Sequence, residues 1–329
     1  MVRKSIVLMV CTFLGVAAAA SGAEAQTRKV RAAIPGYTIA VLAYLGAKLN
    51  GYYADEGLDA ELIAMRAPTA NLAVLAGNVE FSAVPLSGLT TALRGAPLKL
   101  LFVNFEKPQH VLLARPELQN PKALRGKKIA VVGLGAIDDM LLRDVLSANG
   151  IDPAREASIL SIGSAETRMT ALVSGSVDAA VLIAPMTFKA KEAGFRELVV
   201  FAEQNFVLPS GGIVVRDEIL KTDPATVEKF VRATVMGFLA TRDSRANAIR
   251  VMAKGMRVED SVAAKFYDSA RPTMTADGAL SDDPQKKMIA FVAKLAEVKE
   301  TPAQEKFFDF SYIRKAHAAL KSRGWKPAS

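Results

Sequence analysis

Cysteine is nearly absent from this chain of 329 residues: the single one, Cys11, lies inside an apolar N-terminal run. If that run is removed, the chain has no thiol, which excludes disulfide bonds, thiolate catalysis and metal sites built on cysteine. Histidine is also scarce, since only His110 and His317 occur and neither belongs to a motif. The H-E-x-x-H, G-x-S-x-G and G-x-x-x-x-G-K patterns are absent as well. These absences leave few ways to build a catalytic centre.

Basic charge is in mild excess and is not concentrated anywhere. Lys and Arg number 42 against 33 Asp and Glu, and the net charge of +9 is spread along the chain. Such a spread argues against a nucleic-acid surface. The composition, 51% hydrophobic and 23% charged, is that of a folded protein, and the length suffices for two hydrophobic cores.

The N-terminus has the pattern of a secretory signal peptide. Arg3 and Lys4 precede the apolar run 6–20, and small residues occupy positions 23 and 25. The run is shorter than the ~20 apolar residues of a membrane-spanning helix. Cys11 lies in the middle of the run rather than at its end, which argues against a lipoprotein signal. We expect cleavage after residue 25, no later membrane span, and a mature protein in the periplasm.

Short apolar runs alternate with amphipathic helical patterns, which is typical of α/β proteins with parallel sheets. Two units of similar size are predicted, and the second begins at Lys127. The predicted helices of these units span 39–53, 71–76, 136–149 and 165–174. The predicted strands span 30–35, 60–65, 81–85, 99–104, 110–114, 127–132, 158–162, 179–183, 197–201 and 213–216.

The rest of the chain has helical patterns. Asp223 followed by Pro224 is a typical helix start, with a capping side chain and then a proline in the first turn. The helices beyond it need a packing partner, and the first unit is the simplest one, so we expect the chain to cross between the units twice.

The segments 75–81 and 173–179 resemble each other, each with a helix end, a glycine and a strand. This likeness marks either a repeated unit or only the local geometry of such a connection.

Candidate ligand-binding groups lie where strands end and helices begin. In open parallel sheets, ligands bind at the carboxyl ends of strands, where helix N-termini offer free N–H groups. Arg66 is a lone cation in such a turn and suits a carboxylate or sulfonate, although a solvated surface arginine fits the sequence equally well. Ser164 follows another strand and also fits an ordinary helix cap. His110 begins an apolar strand, where a satisfied structural histidine is more common than a general base.

The turn 133–135 resembles the start of a dinucleotide-binding loop, but Asp138 occupies the place of the third glycine. An NAD site is therefore not expected. What remains is a glycine turn and a helix N-terminus that suits an anion or a carbonyl group. Asp138 and Asp139 either complement the helix dipole or accept a hydrogen bond from a ligand, and the sequence leaves both interpretations open.

Four segments resemble a known family: 51–58 (GYYADEGL), 73–81, 124–130 (LRGKKIA) and 171–180 (ALVSGSVDAA). They are similar to segments of the periplasmic solute-binding proteins of ABC importers. Within that family, they resemble the group that binds nitrate, sulfonates and taurine and that includes binding proteins for the pyrimidine precursor of thiamine. The resemblance covers nearly the whole chain after residue 25 and is more specific for the family than for the ligand.

The resemblance implies the α/β, two-lobed type II periplasmic-binding-protein fold, in which two α/β lobes joined by two hinge strands close on a ligand. The first lobe is expected at 26–112 and 212–329 and the second at 113–211, with the crossing strands near 110–114 and 210–214. The contacts of the family fall here on strand-end turns of both lobes, at Tyr37, Thr38, Arg66, Ser87, Gly135, Ser164 and Pro185.

The resemblance also implies a binding protein without enzymatic activity, cofactor or metal, whose partner is an inner-membrane ABC permease with its ATPase. No sustained heptad or large exposed apolar helix argues for obligate assembly, so we expect a monomer. Arg66, together with Leu86, Ile137, Met186 and Phe206 in the cleft turns, leads us to expect a small organic anion with an apolar part, a sulfonate or a carboxylate. One alternative is a binding protein for a pyrimidine or thiamine precursor, and another is a ligand-sensing module without transport. Pyrimidine-precursor synthases also resemble these proteins, but they rely on a histidine and a cysteine-rich segment, so the lack of cysteine argues against an enzyme.

Overall fold

A computed structural model of the chain describes residues 27–296, 298 and 302–327. The predicted signal peptide, 1–25, lies outside the described residues. Within the part that the structure describes, no helix is long and apolar enough to cross a membrane.

The strands form two separate five-stranded sheets, which confirms the two predicted α/β units. All ten predicted strands are present to within a few residues: β1 (Arg28–Ile34), β2 (Leu58–Ala64), β3 (Phe81–Ser82), β4 (Leu98–Phe105), β5 (Val111–Ala114), β6 (Lys128–Val131), β7 (Ser158–Ser161), β8 (Ala179–Leu182), β9 (Arg196–Val200) and β10 (Ser210–Arg216). The first sheet has the order β2-β1-β3-β10-β4, and the second has the order β7-β6-β8-β5-β9.

Both sheets repeat one arrangement. In each, four strands run parallel, and the strand that arrives from the other sheet, β10 or β5, lies antiparallel in the fourth position. The similar segments 75–81 and 173–179 occupy equivalent places, because they lead into β3 and β8, the third strand of each sheet. Gly77 and Gly175 within them have nearly the same positive φ, 75° and 76°. The sequence likeness therefore reflects a repeated unit.

Two crossing segments connect the sheets. The chain passes from β4 to β5 through residues 106–110 and returns from β9 to β10 through 201–209. The segments lie side by side, since the Leu208 N–H donates to the Glu106 carbonyl at 2.8 Å. The strands β5 and β10 each lie within one sheet, and the crossing segments precede them.

The helices cover both faces of each sheet, and their bounds in chain order are α1 (Leu42–Leu49), α2 (Tyr52–Asp55), α3 (Ala67–Leu75), α4 (Pro85–Leu93), α5 (Ile137–Ala148), α6 (Ala165–Val173), α7 (Met186–Glu192), α8 (Asp217–Thr222), α9 (Pro224–Asp243), α10 (Arg245–Met256), α11 (Asp260–Ala270), α12 (Asp282–Ala296) and α13 (Ser311–Ser322). Helix α5 packs on one face of the second sheet, and α6 and α7 pack on the other.

The helices from α9 onward share one hydrophobic core with the first sheet. As predicted, Asp223 caps α9, and its carboxylate accepts a hydrogen bond from the Thr226 N–H at 3.2 Å. Phe230 on α9 stacks on Phe81 of β3, with ring centroids 3.7 Å apart. This aromatic contact places the C-terminal helices on the first sheet, where they add to the first lobe.

Two predicted elements differ from the structure. The single helix predicted at 39–53 is divided into a short 3₁₀ turn, α1 and α2, because Gly51 adopts a φ of 83° between the two α-helices. The strand predicted to begin at Ile213 begins at Ser210 instead. It includes Gly211 and Gly212, and a Cβ at Gly211 would collide with the Ala40 backbone.

A buried carboxylate ties the N-terminal and C-terminal parts of the first lobe. Glu56, after α2, is 8% exposed and accepts a hydrogen bond from Arg232 Nε of α9 at 2.7 Å. Arg323, just after α13, reaches the same carboxylate at 3.2 Å. An enclosed carboxylate with two guanidinium partners is costly to neutralise, because both cations then lose their counter-ion.

We predict that Glu56→Gln lowers the free energy of unfolding by about 2 kcal/mol, since one partner of a largely buried ion pair is removed. Glu61→Gln is the matched control, because Glu61 pairs with Lys29 at 3.3 Å and both side chains are well exposed. That control should change stability by less than about 1 kcal/mol. Urea denaturation of the wild type and the two variants measures these changes in stability. Equal losses of stability in the two variants would contradict the role of Glu56 as a buried tie within the first lobe.

Candidate functional site

All seven predicted site residues lie in turns or helix starts at the carboxyl edges of the two sheets. In the first lobe, Tyr37 and Thr38 follow β1, Arg66 follows β2, and Ser87 lies in the first turn of α4 after β3. These three strands are neighbours in the sheet, so the turns after them are neighbours too. The sequence had treated residues 85–87 as a turn, whereas they begin a helix with proline in its first turn.

The first-lobe candidates have unused polar groups. Arg66 is exposed, and its guanidinium has no partner in the described part of the chain. The hydroxyl groups of Thr38 and Ser87 also make no hydrogen bond to any described residue. Tyr37 is 51% exposed and lies beside Thr38. This edge therefore offers one free cation, free hydroxyl donors and an aromatic surface.

The second-lobe candidates follow β6, β7 and β8, which are also neighbours. Gly135 precedes α5, Ser164 caps α6, and Pro185 precedes α7. The Ser164 hydroxyl accepts a hydrogen bond from the Thr167 N–H at 3.2 Å, which is the ordinary cap that the sequence left open. The Gly135 N–H donates to Asp139 at 2.7 Å. These two groups are thus used within the lobe, and their role in ligand binding stays a prediction.

Asp138 and Asp139 hold the second-lobe turn together. Each is 2% exposed. Asp138 accepts hydrogen bonds from the Val132 N–H at 2.7 Å and the Asp139 N–H at 3.1 Å, while Asp139 also binds Arg143 at 2.8 Å. Burial raises the pKa of Asp138 above its ordinary value. The hydrogen bond from the Val132 N–H and the charge of Arg168 lower the pKa, but by less than burial raises it. Because both carboxylates are enclosed and already paired, the hypothesis of direct ligand contact is not supported.

Arg168 is a buried cation that sequence reasoning missed. It is 3% exposed, although it lies on α6. Its guanidinium donates to the carbonyl of Val181 in β8 at 2.9 Å and to that of Gly163 after β7. It therefore ties the turn after β7 to the neighbouring part of β8. Arg168 lies four residues before the buried Leu172, so both side chains lie on the same face of α6. This spacing could have predicted from the sequence that Arg168 is buried, because it places a cation on an apolar helix face.

A cavity of about 250 Å³ lies between the lobes, beside the crossing segment 106–110. Ile39 of the first lobe and Ala184 of the second both line it, which shows that the two edges face each other. His110 also lines it, and neither ring nitrogen has a hydrogen-bond partner among the described residues. The expectation of a satisfied structural histidine is therefore wrong. Burial, with a smaller effect of Arg168, lowers the pKa of His110 to about 4.

The exposed apolar side chains of the cleft differ from those that the sequence suggested. Met186 is buried in the second lobe, Phe206 packs near Phe201, and Leu86 and Ile137 pack against the cores. The exposed large apolar residues at the two edges are instead Tyr37 (51%), Val132 (48%), Leu134 (63%) and Ile183 (41%). Three of these four lie on the second lobe, after the neighbouring strands β6 and β8. That edge is therefore largely apolar.

Two known structures share this architecture. The periplasmic aliphatic sulphonate binding protein SsuA from Escherichia coli matches with a TM-score of 0.69 and 17% identity, covering 88% of this chain and 97% of that one. The periplasmic nitrate-binding protein NrtA from Synechocystis PCC 6803 matches with a TM-score of 0.63 and 14% identity, covering 91% and 90%. These likenesses confirm the predicted two-lobed fold of the periplasmic binding proteins.

The same fold also occurs in an enzyme. The desulfurization enzyme DSZB matches with a TM-score of 0.70 and 14% identity, covering 89% of this chain and 99% of that one. At this identity the likeness concerns the fold alone, so the chemistry of the cleft has to be argued from its own residues.

The family is given by a sequence match. Residues 39–248, more than half of the chain, match the model of the family described as NMT1/THI5 like. The chain belongs to the NMT1/THI5-like family. A search of the curated proteins finds no match.

We predict that His110 makes stability depend on pH. Its neutral form is favoured in the fold, where the pKa is about 4, while the unfolded chain has the ordinary value of about 6.5. Its contribution is therefore complete above about pH 6.5 and is lost as the pH falls towards 4. Melting curves between pH 7.5 and 4.5 should show the wild type losing stability faster than His110→Gln, and parallel curves would contradict this.

Proposed function

We propose that the protein captures a small organic anion with an apolar part in the periplasm and delivers it to the membrane permease of an ABC importer. The observation that carries the proposal is the contrast between the carboxyl edges of the two sheets. The first lobe presents Arg66, a cation without a partner among the described residues, and the second presents the exposed apolar residues Val132, Leu134 and Ile183. A molecule with a charged end and a hydrocarbon end complements both edges.

The electrostatics of the lobes support one orientation of this ligand. Arg66 and the free hydroxyls of Thr38 and Ser87 suit a carboxylate or sulfonate at the first lobe. At the second lobe, two N–H groups of the turn before α5 are already bound by Asp138 and Asp139 and are not free to bind an anion. We therefore expect the anionic group to contact the first lobe and the hydrocarbon part to contact the second.

Lobe closure is the mechanism that this arrangement supports. We infer lobes of 27–105 with 210–327 and of 111–200, which rotate about the paired crossing segments. A ligand that contacts both edges favours the closed arrangement, because it gains interactions there that the open one lacks. Closure also removes Val132 and Leu134 from water, which adds hydrophobic stabilisation.

The proposal is for a binding protein rather than an enzyme. DSZB shows that the fold can serve catalysis, and the mutant of it that was solved in complex with biphenyl-2-sulfinic acid has a serine in place of a cysteine. In this sequence, no cysteine follows Cys11. The His110 side chain makes no hydrogen bond to a nucleophile or an orienting carboxylate in the described chain, so a triad-like arrangement is not supported.

A thermal-shift screen tests the proposal as a whole. The mature protein, unfolded and refolded to remove bound solute, is heated with alkanesulfonates, arenesulfonates, aliphatic and aromatic carboxylates and nitrate. Binding to the native state raises the melting temperature. We expect organic anions with apolar parts to give the largest increases, and no shift with any anion would overturn the proposal.

We predict that Arg66→Gln weakens the binding of hexanesulfonate at least tenfold, because a charge-assisted hydrogen bond to the anionic group is lost. Arg94→Gln is the matched control, since Arg94 is also an exposed arginine without a side-chain partner among the described residues, but it lies at the far end of α4. Calorimetric titration measures both. Equal affinities of the two variants would show that Arg66 is not the charge contact.

We predict that Val132→Ser reduces the gain in affinity along the series from butanesulfonate to heptanesulfonate. In the wild type each added methylene should tighten binding about fourfold, which corresponds to ~0.8 kcal/mol per buried CH₂. Val173→Ser is the control, because Val173 is 60% exposed at the end of α6, away from the cleft. If both variants keep the full gain per methylene, the hydrocarbon part does not contact this edge.

A further inference from the structure

A second cavity between the lobes lies on another flank of their connection. Its volume is about 290 Å³, and it is lined by α5 of the second lobe, α12 of the first lobe and residues 205–208 of the second crossing segment. It shares no lining residue with the cavity beside 106–110, which α7 lines. Helices α5 and α7 pack on different faces of the second sheet. The two cavities therefore lie on opposite faces of that sheet.

The second cavity is also distinct from the strand-end turns at the carboxyl edges of the sheets. None of the seven predicted site residues lines it, and none of the exposed apolar residues of the two edges does so. Helix α5 reaches it with Leu141 and Asp144, beyond its first turn, whereas the turn with Gly135 precedes the helix. A molecule in this cavity would thus contact a different part of the protein from the proposed anion.

The lining of the second cavity is largely apolar. Phe206 of the crossing segment and Phe291 of α12 are half-buried there, and the buried side chains of Leu141 and Leu208 also line it. A hydrocarbon group that covers the two phenylalanine rings removes apolar surface from water. The faces of such rings also attract cations.

The charges at this cavity favour a cation. Its two charged lining residues are Asp144 and Lys287. Lys287 Nζ already lies 2.9 Å from Asp283 and donates to Asn205 Oδ1 at 3.1 Å. The Asp144 carboxylate is exposed and has no partner among the described residues. One negative charge is therefore left without a counter-ion beside an apolar surface.

The second cavity also connects the two lobes. Phe291 contacts the hydrophobic cores of both, and α12 and α5 belong to different lobes. Rotation about the crossing segments moves one helix relative to the other and so changes the cavity. In the arrangement described here, Tyr37 and Leu134 at the two carboxyl edges are 51% and 63% exposed, so the lobes are not closed over them. A molecule that fits the cavity favours this arrangement over the closed one.

We infer that the second cavity is a regulatory site for a small apolar amine in its ammonium form, which opposes lobe closure and weakens binding of the anion. The ammonium group pairs with Asp144, and the hydrocarbon part covers Phe206 and Phe291. Binding of the amine does not depend on what the strand-end turns bind. Its regulatory effect rests on the proposed capture of an organic anion by closure.

Three probes test the chemistry of the site. 3-Phenylpropylamine has both features, 3-phenylpropanol lacks the charge, and propylamine lacks the ring. Titrations of the mature protein at pH 7.5, followed by NMR chemical shifts, give the affinities. We expect 3-phenylpropylamine to bind about tenfold more tightly than either control, because each control loses one of the two interactions. Equal affinity of either control, or no saturable binding of the amine, would overturn the inference.

Substitutions locate the amine. Asp144→Asn should weaken its binding about tenfold, because the counter-ion is removed. Asp59→Asn is the matched control, since Asp59 is also an exposed carboxylate without a partner among the described residues, but it lies on β2, the edge strand farthest from the crossing segments. Phe291→Leu should also weaken binding, and if that variant does not fold, Asp144→Asn decides. Equal affinities of the two aspartate variants would place the amine elsewhere and overturn the inference.

The regulatory effect is measured with hexanesulfonate. At a concentration of 3-phenylpropylamine that saturates the wild type, sulfonate binding should weaken about fivefold, and the sulfonate should weaken amine binding by the same factor. Asp144→Asn should lose this effect, which excludes simple pairing of the two probes in solution. Sulfonate binding that is unchanged or tighter with the amine would overturn the regulatory role. If hexanesulfonate does not bind at all, the proposed import function fails, while the amine titrations still decide on the site.

Discussion

The hydrogen bond from the Leu208 N–H to the Glu106 carbonyl joins the two crossing segments into one narrow connection between separate sheets. Strand β5 brings the chain into the second sheet and β10 returns it to the first, and each runs antiparallel to the other four strands of its sheet, so those four strands place their carboxyl ends at one edge. The strand-end turns are therefore positioned by strand order, while the proposed closure would change the distance between the lobes by rotation about residues 106–110 and 201–209. Two separate sheets joined by one narrow connection are what the proposed hinge closure requires.

The two edges use their polar groups differently. In the second lobe, Asp138, Asp139 and Arg168 are buried and bind the backbone of the turns themselves. These interactions fix the turns in place and leave apolar side chains exposed above them. In the first lobe, Arg66 and the hydroxyls of Thr38 and Ser87 have no described partner, so they are free for a ligand. A rigid apolar edge opposite a polar one favours ligands with two unlike ends.

Periodicity and turn chemistry predicted the ten strands, the α9 cap at Asp223 and the position of the strand-end turns, because these depend on local sequence. The division of helix 39–53 depends on the positive φ of Gly51, which a glycine permits without requiring. Arg168 and His110 were missed or misjudged for another reason. Their burial and their partners are set by contacts between elements distant in the chain, and a single sequence does not show those contacts.

A distance between the lobes tests the central claim, ligand capture by closure, most directly. Leu72→Cys on α3 and Val173→Cys on α6 place one spin label on each lobe at exposed positions, 62% and 60%, and no other cysteine follows residue 11. Pulsed electron resonance then measures the label separation without and with the anion that most raises the melting temperature. Closure predicts a shorter and narrower distance distribution with ligand. An unchanged distribution at saturating ligand would contradict the account.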